Sequence, residues 1–244
     1  MADRGAAIPV AILAGGLATR LRPLTETVPK LLVPICDRPF FEYQIASLRE
    51  QNIKDIVVCA GFLGERIKEE FGDGASRGVR IRYSFDGPSL LGTGGAIKRA
   101  IPLLGDTFFV LYGDSFLQID YEAVFESFRR SGRSALMTVF RNNNRWDASN
   151  VEFADGEIKA YDKMNRTERM AYIDYGLSLY RAKVFESYPS ETAIDLSSIV
   201  RDLVARGDVA GHEATSRFYE VGSFSGIEEF VRAITESGVG AAHR

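Results

Sequence analysis

Short apolar runs alternate with amphipathic helix patterns in the first half of the chain, and this alternation limits the folds that the chain can adopt. The apolar runs predict four strands, at residues 8–13, 55–59, 80–85 and 107–112. Apolar spacings of three and four predict helices at residues 40–50, 63–71, 95–101 and from Tyr121 onward. Because strand–helix–strand units build parallel sheets with helices on both faces, we expect a three-layer α/β fold with a mostly parallel central sheet.

From Ala135 onward, helix patterns no longer separate the strand patterns. Strand-like runs occupy residues 135–140, 151–154, 157–162 and 171–180, and Asp155-Gly156 is a typical hairpin turn. This part is therefore predicted to be mixed or antiparallel. Ser225 stands three residues before Glu228, so a last helix is predicted to begin at Ser225. We expect one domain over residues 1–244, with two halves that meet near residue 134.

The charge balance and the rare residue types exclude several classes of function. The 30 basic and 33 acidic residues give a net charge of -3, so binding to nucleic acid is not expected. No long apolar run and no basic, apolar leader are present, so we expect a cytoplasmic protein that does not associate with membranes. Two cysteines, Cys36 and Cys59, and two histidines, His212 and His243, leave little material for a zinc site or a His-based triad.

The segment from Gly15 to Lys30 has the composition of an anion-binding loop. Two glycines follow the first predicted strand, and three basic residues stand against one acidic residue, a local charge of +2. Glycines at the end of a strand let backbone N–H groups approach a phosphate closely. A solvated surface loop is the alternative. The segment is neither a dinucleotide-binding fingerprint nor a Walker A loop, because the spacing of its glycines fits neither motif.

The whole segment, Ala14-Gly15-Gly16-Leu17-Ala18-Thr19-Arg20-Leu21-Arg22-Pro23-Leu24-Thr25 followed by Val28-Pro29-Lys30, resembles the opening motif of the sugar-1-phosphate nucleotidyltransferases, or NDP-sugar pyrophosphorylases. Further segments follow in the family's order: Gly92-Thr93-Gly94-Gly95-Ala96, Tyr112-Gly113-Asp114, Tyr175-Gly176-Leu177 and Phe218-Tyr219-Glu220-Val221-Gly222. Among compact members, the chain is most similar to heptose-1-phosphate guanylyltransferases and N-acetylmuramate-1-phosphate uridylyltransferases.

The resemblance implies a Rossmann-like nucleotide-diphospho-sugar transferase fold, with a nucleotide-binding half at residues 1–134 and a sugar-phosphate-binding half at residues 135–244. It implies catalytic roles for Arg20, on the departing pyrophosphate, and Lys30, on the phosphates that flank the new bond. The implied nucleotide-binding residues are Leu13, Ala14, Gly15, Gly16, Thr19, Arg20, Gly92, Thr93, Gly94 and Gly95. Ala18 replaces a usual glycine, which a negative φ would accommodate.

Two acidic residues are implied to bind Mg²⁺. Asp114 follows a buried strand at the edge where such sheets bind ligands, and a carboxylate suits a hard cation. A turn aspartate is the alternative for Asp114. Glu220 stands where the family commonly has aspartate, and it could instead be a strand-end glutamate packed against Tyr219.

The sugar phosphate is implied to contact Lys163, Tyr175, Gly176 and Asp195. For Lys163 a charged loop is the alternative, and Asp195 could equally cap the following helix. Gly94 and Gly95 are expected to begin a helix whose free N–H groups attract the nucleobase.

The resemblance therefore implies a reaction between a sugar 1-phosphate and an NTP, with GTP expected ahead of UTP and D-glycero-D-manno-heptose 1-phosphate as the sugar substrate. The alternatives are N-acetylmuramate 1-phosphate with UTP, another NTP, transfer to phosphocholine as in a cytidylyltransferase, and a sugar-nucleotide sensor without turnover. A homodimer is the expected assembly.

Overall fold

The computed structural model describes residues 8–236, which form a nine-stranded sheet with helices packed on it. The sheet strands are β1 (Val10–Ala14), β4 (Asp55–Ala60), β5 (Arg80–Phe85), β6 (Thr107–Tyr112), β8 (Ala135–Arg141), β9 (Val151–Ala154), β10 (Glu157–Tyr161), β11 (Tyr172–Arg181) and β12 (Val209–Ala214). Two small ribbons pair β2 (Pro34–Ile35) with β3 (Arg38–Pro39), and β7 (Ser115–Phe116) with β13 (Tyr219–Glu220). The helices are α1 (Phe40–Glu50), α2 (Gly64–Phe71), α3 (Gly92–Leu104), α4 (Tyr121–Ser131), α5 (Leu196–Ala205) and α6 (Phe224–Glu236).

The order of the strands separates a parallel part of the sheet from a mixed part. The order is β5-β4-β1-β6-β11-β8-β12-β10-β9, and the first four strands run parallel to one another. β11 is antiparallel to both β6 and β8, whereas β12 is parallel to β8. The predicted α/β fold, with a parallel first part and a mixed second part, is confirmed.

The sheet buries side chains on both faces, because successive strand residues point in opposite directions. In β1, Val10 and Ile12 join a cluster that includes Phe41 of α1, whereas Ala11 joins a cluster that includes Ile97 of α3. A third cluster lies under α6, where the Phe230 ring packs edge-on against Phe40 at 5.5 Å. These clusters account for the three layers that the sequence predicted.

The chain reverses its direction of travel across the sheet between β1 and β6. From β1 it proceeds to β4 and β5 on one side, and it then returns to place β6 on the other side of β1. Such a switch point opens a crevice at the carboxyl ends of the two strands. Gly113 closes the floor of this crevice. Its N–H donates to Leu13 O at 3.1 Å, and a Cβ there would lie 2.3 Å from the same oxygen.

The start of the last helix differs from the prediction. Helix α6 begins at Phe224, and the Ser223 hydroxyl accepts a hydrogen bond from Gly226 N at 3.1 Å. The predicted start at Ser225 is therefore wrong, because the amide that needs a partner lies three residues after Ser223. His243 lies outside the described residues. Within residues 8–236, no helix combines the length and apolarity needed to cross a membrane.

Candidate active site

A cleft of about 420 Å³ lies at the carboxyl ends of β1 and β6, at the switch point of the sheet. Eleven residues that the sequence selected line it: Leu13, Ala14, Gly15, Gly16, Arg20, Lys30, Gly92, Thr93, Asp114, Lys163 and Glu220. Residues that the sequence analysis did not select also line it, among them Asp86, Leu90, Tyr112 and Asp147. Residues from both halves of the chain thus meet in one cleft.

The glycine-rich loop leaves β1 and turns through Ala18. Ala18 has φ 45° and ψ 46°, which lie in the left-handed region. The negative φ that would accommodate its methyl group is therefore not adopted. The Thr25 hydroxyl donates to Ala18 O at 2.8 Å, and Leu21, which is fully buried, anchors the loop behind it. Thr19 is exposed and is not among the residues that line the cleft.

The ribbon of β7 and β13 brings the two predicted metal ligands together. Glu220 pairs with Ser115, and Val221 N donates to Asp114 O at 2.7 Å. Asp114 comes from the end of the parallel sheet, and Glu220 comes from the strand that precedes α6. Both carboxylates line the same cleft.

Arg20 and Lys30 surround these carboxylates. Lys30 Nζ lies 2.7 Å from Asp114 Oδ2. A Cβ on Gly222 would lie 3.0 Å from Arg20 Nη2 and 3.4 Å from Asp114 Oδ2, so the guanidinium and the carboxylate both face this glycine. The four predicted charged groups therefore form one cluster.

Burial and the neighbouring carboxylate of Asp114 raise the pKa of Glu220 to about 7. Arg20 and Lys30 act in the opposite direction on this pKa, and Asp147 adds to the increase. The described lining of the cleft also carries four carboxyl groups, from Asp86, Asp114, Asp147 and Glu220, against the three basic side chains of Arg20, Lys30 and Lys163, a balance that favours binding of a cation.

The donor set fits a divalent metal that is shared with phosphates. Magnesium is commonly held by one or two carboxylates together with substrate phosphates and water. Among the described residues, no group of three or more His, Cys, Asp or Glu side chains is arranged to hold a metal ion. The pair Asp114 and Glu220 therefore suits a metal that arrives with a nucleotide better than a metal held by the protein alone.

The segment Gly92 to Ala96 joins the two halves of the chain. Gly94 N and Gly95 N donate to Ile194 O at 2.8 and 3.2 Å, so the expectation of free N–H groups at this helix terminus is wrong. A Cβ on Gly95 would lie 2.6 Å from Thr192 O. Gly94 and Gly95 thus permit close packing of α3 against the segment before α5, and the cleft is lined by Gly92 and Thr93 instead.

Lys163 reaches the cleft from the second half of the chain, and its Nζ lies 5.4 Å from the centre of the Tyr112 ring. Asp195 lies close enough to feel the charge of Lys163. Burial alone would raise the pKa of Asp195, but hydrogen bonds from Ser197 and the charge of Lys163 hold it below its ordinary value. Its Oδ1 accepts from Ser197 N at 2.7 Å. Of the two roles considered for Asp195, the structure shows the helix cap.

Tyr175 does not line the cleft. Its ring is 1% exposed and packs against Phe140 and Phe218, with ring centres 6.2 and 5.8 Å apart. The predicted contact between its side chain and the sugar phosphate is therefore wrong, because strand alternation turns Tyr175 into the core. Gly176, with φ 98°, lies against Ser115, where a Cβ would be 2.8 Å from the hydroxyl oxygen.

The other face of β11 carries Asp174, which the sequence analysis missed. Its Oδ2 accepts from the Tyr112 hydroxyl at 2.9 Å, and its Oδ1 accepts from Gly176 N at 3.1 Å. Asp174 thereby fixes the orientation of the Tyr112 ring beside Lys163. Asp86 was also missed, although its position directly after β5 could have indicated it, since ligands bind at the carboxyl ends of parallel strands.

Comparison with proteins of known function gives relatives that span most of the chain. The chain is 28% identical over 222 residues to N-acetylmuramate alpha-1-phosphate uridylyltransferase of Neisseria meningitidis, covering 89% of this chain and 94% of that protein. It is 29% identical over 191 residues to D-glycero-alpha-D-manno-heptose 1-phosphate guanylyltransferase of Campylobacter jejuni, covering 78% and 84%.

Solved structures share the fold at lower identity. HddC from Yersinia pseudotuberculosis, complexed with GMP-PN, matches with a TM-score of 0.78 at 22% identity and covers 93% of this chain and 99% of its own. UDP-glucose pyrophosphorylase from Acinetobacter baumanii matches with a TM-score of 0.78 at 18% identity, covering 97% and 96%. The family model for nucleotidyl transferases matches residues 9–237. Since this match includes the sheet, the glycine-rich loop and both carboxylates of the cleft, the chain belongs to the nucleotidyl transferase family.

Proposed function

We propose that this nucleotidyl transferase joins a sugar 1-phosphate to a nucleoside triphosphate, giving an NDP-sugar and pyrophosphate. The observation that carries the proposal is the charge cluster at the switch point, where Arg20, Lys30, Asp114 and Glu220 meet beneath a glycine-rich loop. This set of groups suits phosphates and a divalent cation, and the described residues that line the cleft include no Ser, Cys or His. Both relatives described above carry sugar 1-phosphates in their names.

In this reaction, an oxygen of the sugar's phosphate attacks the α-phosphorus of the nucleotide, and the bond from that phosphorus to the pyrophosphate oxygen breaks. A phosphate monoester is already ionised near neutral pH, so the attack needs no general base. The obstacle is repulsion between anions, which is roughly 4 kcal/mol for two charges about 4 Å apart at an effective dielectric constant of 20. Arg20 and Lys30 offset this repulsion at the phosphates.

Asp114 and Glu220 would hold Mg²⁺, which supplies further neutralisation of the phosphate charge when bound. The raised pKa of Glu220 supports this role, because a cation in place of a proton would relieve the repulsion from Asp114. Lys163 enters the cleft from the second half of the chain, beside the Tyr112 ring, and would bind the phosphate of the sugar.

For the substrates, we propose GTP and D-glycero-α-D-manno-heptose 1-phosphate, with a product used for surface polysaccharide or cell-wall precursors. The name of the Campylobacter jejuni relative supports this pair. The second candidate pair is UTP and N-acetylmuramate 1-phosphate, which the name of the Neisseria meningitidis relative supports.

The test is a pyrophosphate-release assay with Mg²⁺ in which GTP, UTP, CTP, ATP and dTTP are each combined with a panel of sugar 1-phosphates and phosphocholine. Release that requires one triphosphate and one sugar 1-phosphate together supports the proposal and identifies both substrates. Release only with CTP and phosphocholine would replace the sugar by an alcohol phosphate. Tight binding of an NDP-sugar without release from any pair would contradict catalysis and indicate a sensor.

A further inference from the structure

Lys163 stands on a loop that fixes its backbone and leaves its ammonium group without a polar partner. Asp162 Oδ1 accepts from Met164 N at 2.7 Å and from Asn165 N at 2.9 Å, so the chain turns tightly around Lys163. In the described part of the chain, the backbone oxygen of Lys163 accepts from Arg166 Nε at 3.2 Å, but its ammonium group forms no hydrogen bond or ion pair. A long side chain held only at its backbone loses rotamer freedom when it binds a phosphate.

The ammonium group of Lys163 lies over the face of the Tyr112 ring. Nζ is 5.4 Å from the ring centre, which is within the range of a cation–π attraction. Both residues line the cleft, so the contact lies at the wall of the cleft and not in the core. Tyr112 is the last residue of β6, two positions before Asp114. The ring can therefore hold the lysine close to the predicted metal site.

An irregularity in β11 directs Asp174 toward this ring. The register of β11 against β8 shifts between Asp174 and Ser178. Gly176, inside the shifted segment, has φ 98°, and its N–H donates to Asp174 Oδ1 at 3.1 Å. The other oxygen, Oδ2, accepts from the Tyr112 hydroxyl at 2.9 Å. Because a bulge changes the direction of a side chain, the irregularity accounts for a carboxylate at this point.

The hydrogen bond to Asp174 makes Tyr112 a better partner for a cation. Burial and the negative charge of Asp174 raise the pKa of Tyr112, so the hydroxyl group keeps its proton and donates it to the carboxylate. A phenol that donates to a carboxylate carries more electron density on its ring, which strengthens the attraction between the face of the ring and a cation. In the row Lys163, Tyr112 and Asp174, an aromatic ring thus lies between two opposite charges.

We infer that Asp174 and Tyr112 are positioning residues for Lys163: the carboxylate orients the ring, and the ring holds the ammonium group where the phosphate of the sugar arrives. This inference rests on the proposed function and adds to it two residues that act through the lysine. Asp174 is not among the residues that line the cleft, and both of its oxygens already accept from protein donors. Its effect on the substrate should therefore depend on Lys163.

The first test removes the hydrogen bond and keeps the packing. Tyr112→Phe keeps the ring and loses the donor. Asp174→Asn keeps an oxygen for Gly176 N, while its NH₂ group takes the place of Oδ2 and cannot accept from the hydroxyl group. With the substrate pair that releases pyrophosphate, we expect KM for the sugar 1-phosphate to rise about 5- to 10-fold in both variants, with KM for the triphosphate and Tm nearly unchanged. Equal rises in the two KM values, or no rise in either, would overturn the inference.

Tyr188→Phe is the matched control. It removes a hydrogen bond of the same kind, from the Tyr188 hydroxyl to Asp202 Oδ2 at 2.8 Å, and neither residue lines the cleft, so both KM values should stay unchanged. A double-mutant cycle with Lys163→Met then separates positioning from other roles. If Asp174 acts through Lys163, Asp174→Asn should change KM by less than about twofold once residue 163 is methionine. An undiminished effect would contradict the inference and indicate direct contact with the sugar.

Nuclear magnetic resonance measures the position of Lys163 without catalysis. Reductive methylation with isotope-labelled formaldehyde gives each lysine a dimethylammonium signal, and the ring current shifts the signal of a group over a ring face upfield. The signal that is lost in Lys163→Met identifies Lys163. An upfield signal that moves toward those of exposed lysines in Asp174→Asn supports the inference, even if no substrate pair releases pyrophosphate and the proposed function alone fails. A Lys163 signal at the same position in both proteins would contradict the inference.

Discussion

Lys30 Nζ lies 2.7 Å from Asp114 Oδ2, so the lysine predicted to bind phosphate is paired with the aspartate predicted to bind metal. Each side chain is 20% exposed, which leaves both groups accessible from the cleft. In the proposed reaction, a nucleotide that arrives with its cation would offer Lys30 a phosphate and Asp114 a metal. The ion pair therefore keeps both groups in place and can exchange one set of partners for another.

Lys30→Met should lower kcat by about 10²-fold, because the variant loses charge that the phosphates need in the transition state. The pKa of Glu220 should also rise, since Lys30 now lowers it. Steady-state kinetics measures the loss of kcat, and the pH dependence of thermal unfolding measures the rise in the pKa of Glu220. Lys54→Met, which removes an exposed lysine elsewhere, is the control and should retain wild-type kcat. A kcat loss matched by a comparable loss in Lys54→Met would contradict a specific role.

Two glycine substitutions should separate catalysis from stability. In Gly222→Ala the added methyl group would meet Arg20 Nη2 at 3.0 Å, and the end of a long side chain can move away. We expect kcat to fall about 10-fold with little change in Tm. In Gly113→Ala the methyl group would lie 2.3 Å from Leu13 O, where backbone must shift, and we expect a loss of roughly 2–4 kcal/mol in the free energy of unfolding.

Gly16→Ala is the control for this pair, because no atom lies within 4 Å of its added Cβ. Its Tm should match that of the wild type. Equal destabilisation by all three substitutions, measured by urea unfolding, would contradict the close approaches at Gly113 and Gly222.

Glu220→Gln should change how stability depends on pH in the absence of metal. The folded-state pKa of Glu220, about 7, lies above the ordinary value of 4.5, so the folded protein holds this proton more tightly than the unfolded chain. The stability that protonated Glu220 contributes should therefore be lost as the pH rises from about 4.5 through 7. At pH 8 the variant should be more stable by on the order of 1–3 kcal/mol, and near pH 4.5 the two should be equal.

Urea unfolding of both proteins between pH 4.5 and 8, with EDTA present, measures this difference. The other titrating groups are common to both proteins, so the difference isolates Glu220. The variant should also have lower activity with Mg²⁺. A constant difference across this pH range would mean that Glu220 has an ordinary pKa.

Ala18→Gly should stabilise the protein. A left-handed conformation costs a residue with a Cβ about 1–2 kcal/mol, whereas glycine adopts it freely. Glycine also gives the unfolded chain more freedom, which costs about 0.4–1 kcal/mol. We expect a net gain of up to about 1 kcal/mol by urea unfolding, with kcat within about twofold of wild type. A loss of stability would contradict the φ of 45° at Ala18.

Periodicity and the glycine-rich motif were sufficient to predict the layers of the fold and the position of the cleft. Helix α1 has the predicted bounds, because its apolar face and its flanking residues agree. Arg20, Lys30, Asp114 and Glu220, which the resemblance selected, line one cleft, and their roles stay predictions. Such motifs succeed because a glycine-rich turn and a charged residue at a strand end depend on local geometry.

The errors concern residues whose role depends on contacts distant in sequence. Nothing in the neighbourhood of Gly94 indicates that Ile194 O will occupy its N–H group. Tyr175 is turned into the core by the pairing of β11, whose register shifts between Asp174 and Ser178. Asp86 directly follows β5, and Asp114 stands two residues after the end of β6. Only Asp114 lies in a segment that resembles a known motif.

The ribbon of β7 and β13 also determines when the proposed metal site can form. Asp114 belongs to the first half of the chain and Glu220 to the last strand, and two residue pairs join them. A nascent chain that has not yet extended past β13 therefore lacks one of the two carboxylates, and a domain truncated before β13 does too. If Asp114 and Glu220 hold the cation as proposed, cation binding at this cleft reports that the chain is synthesised and folded nearly to its last helix.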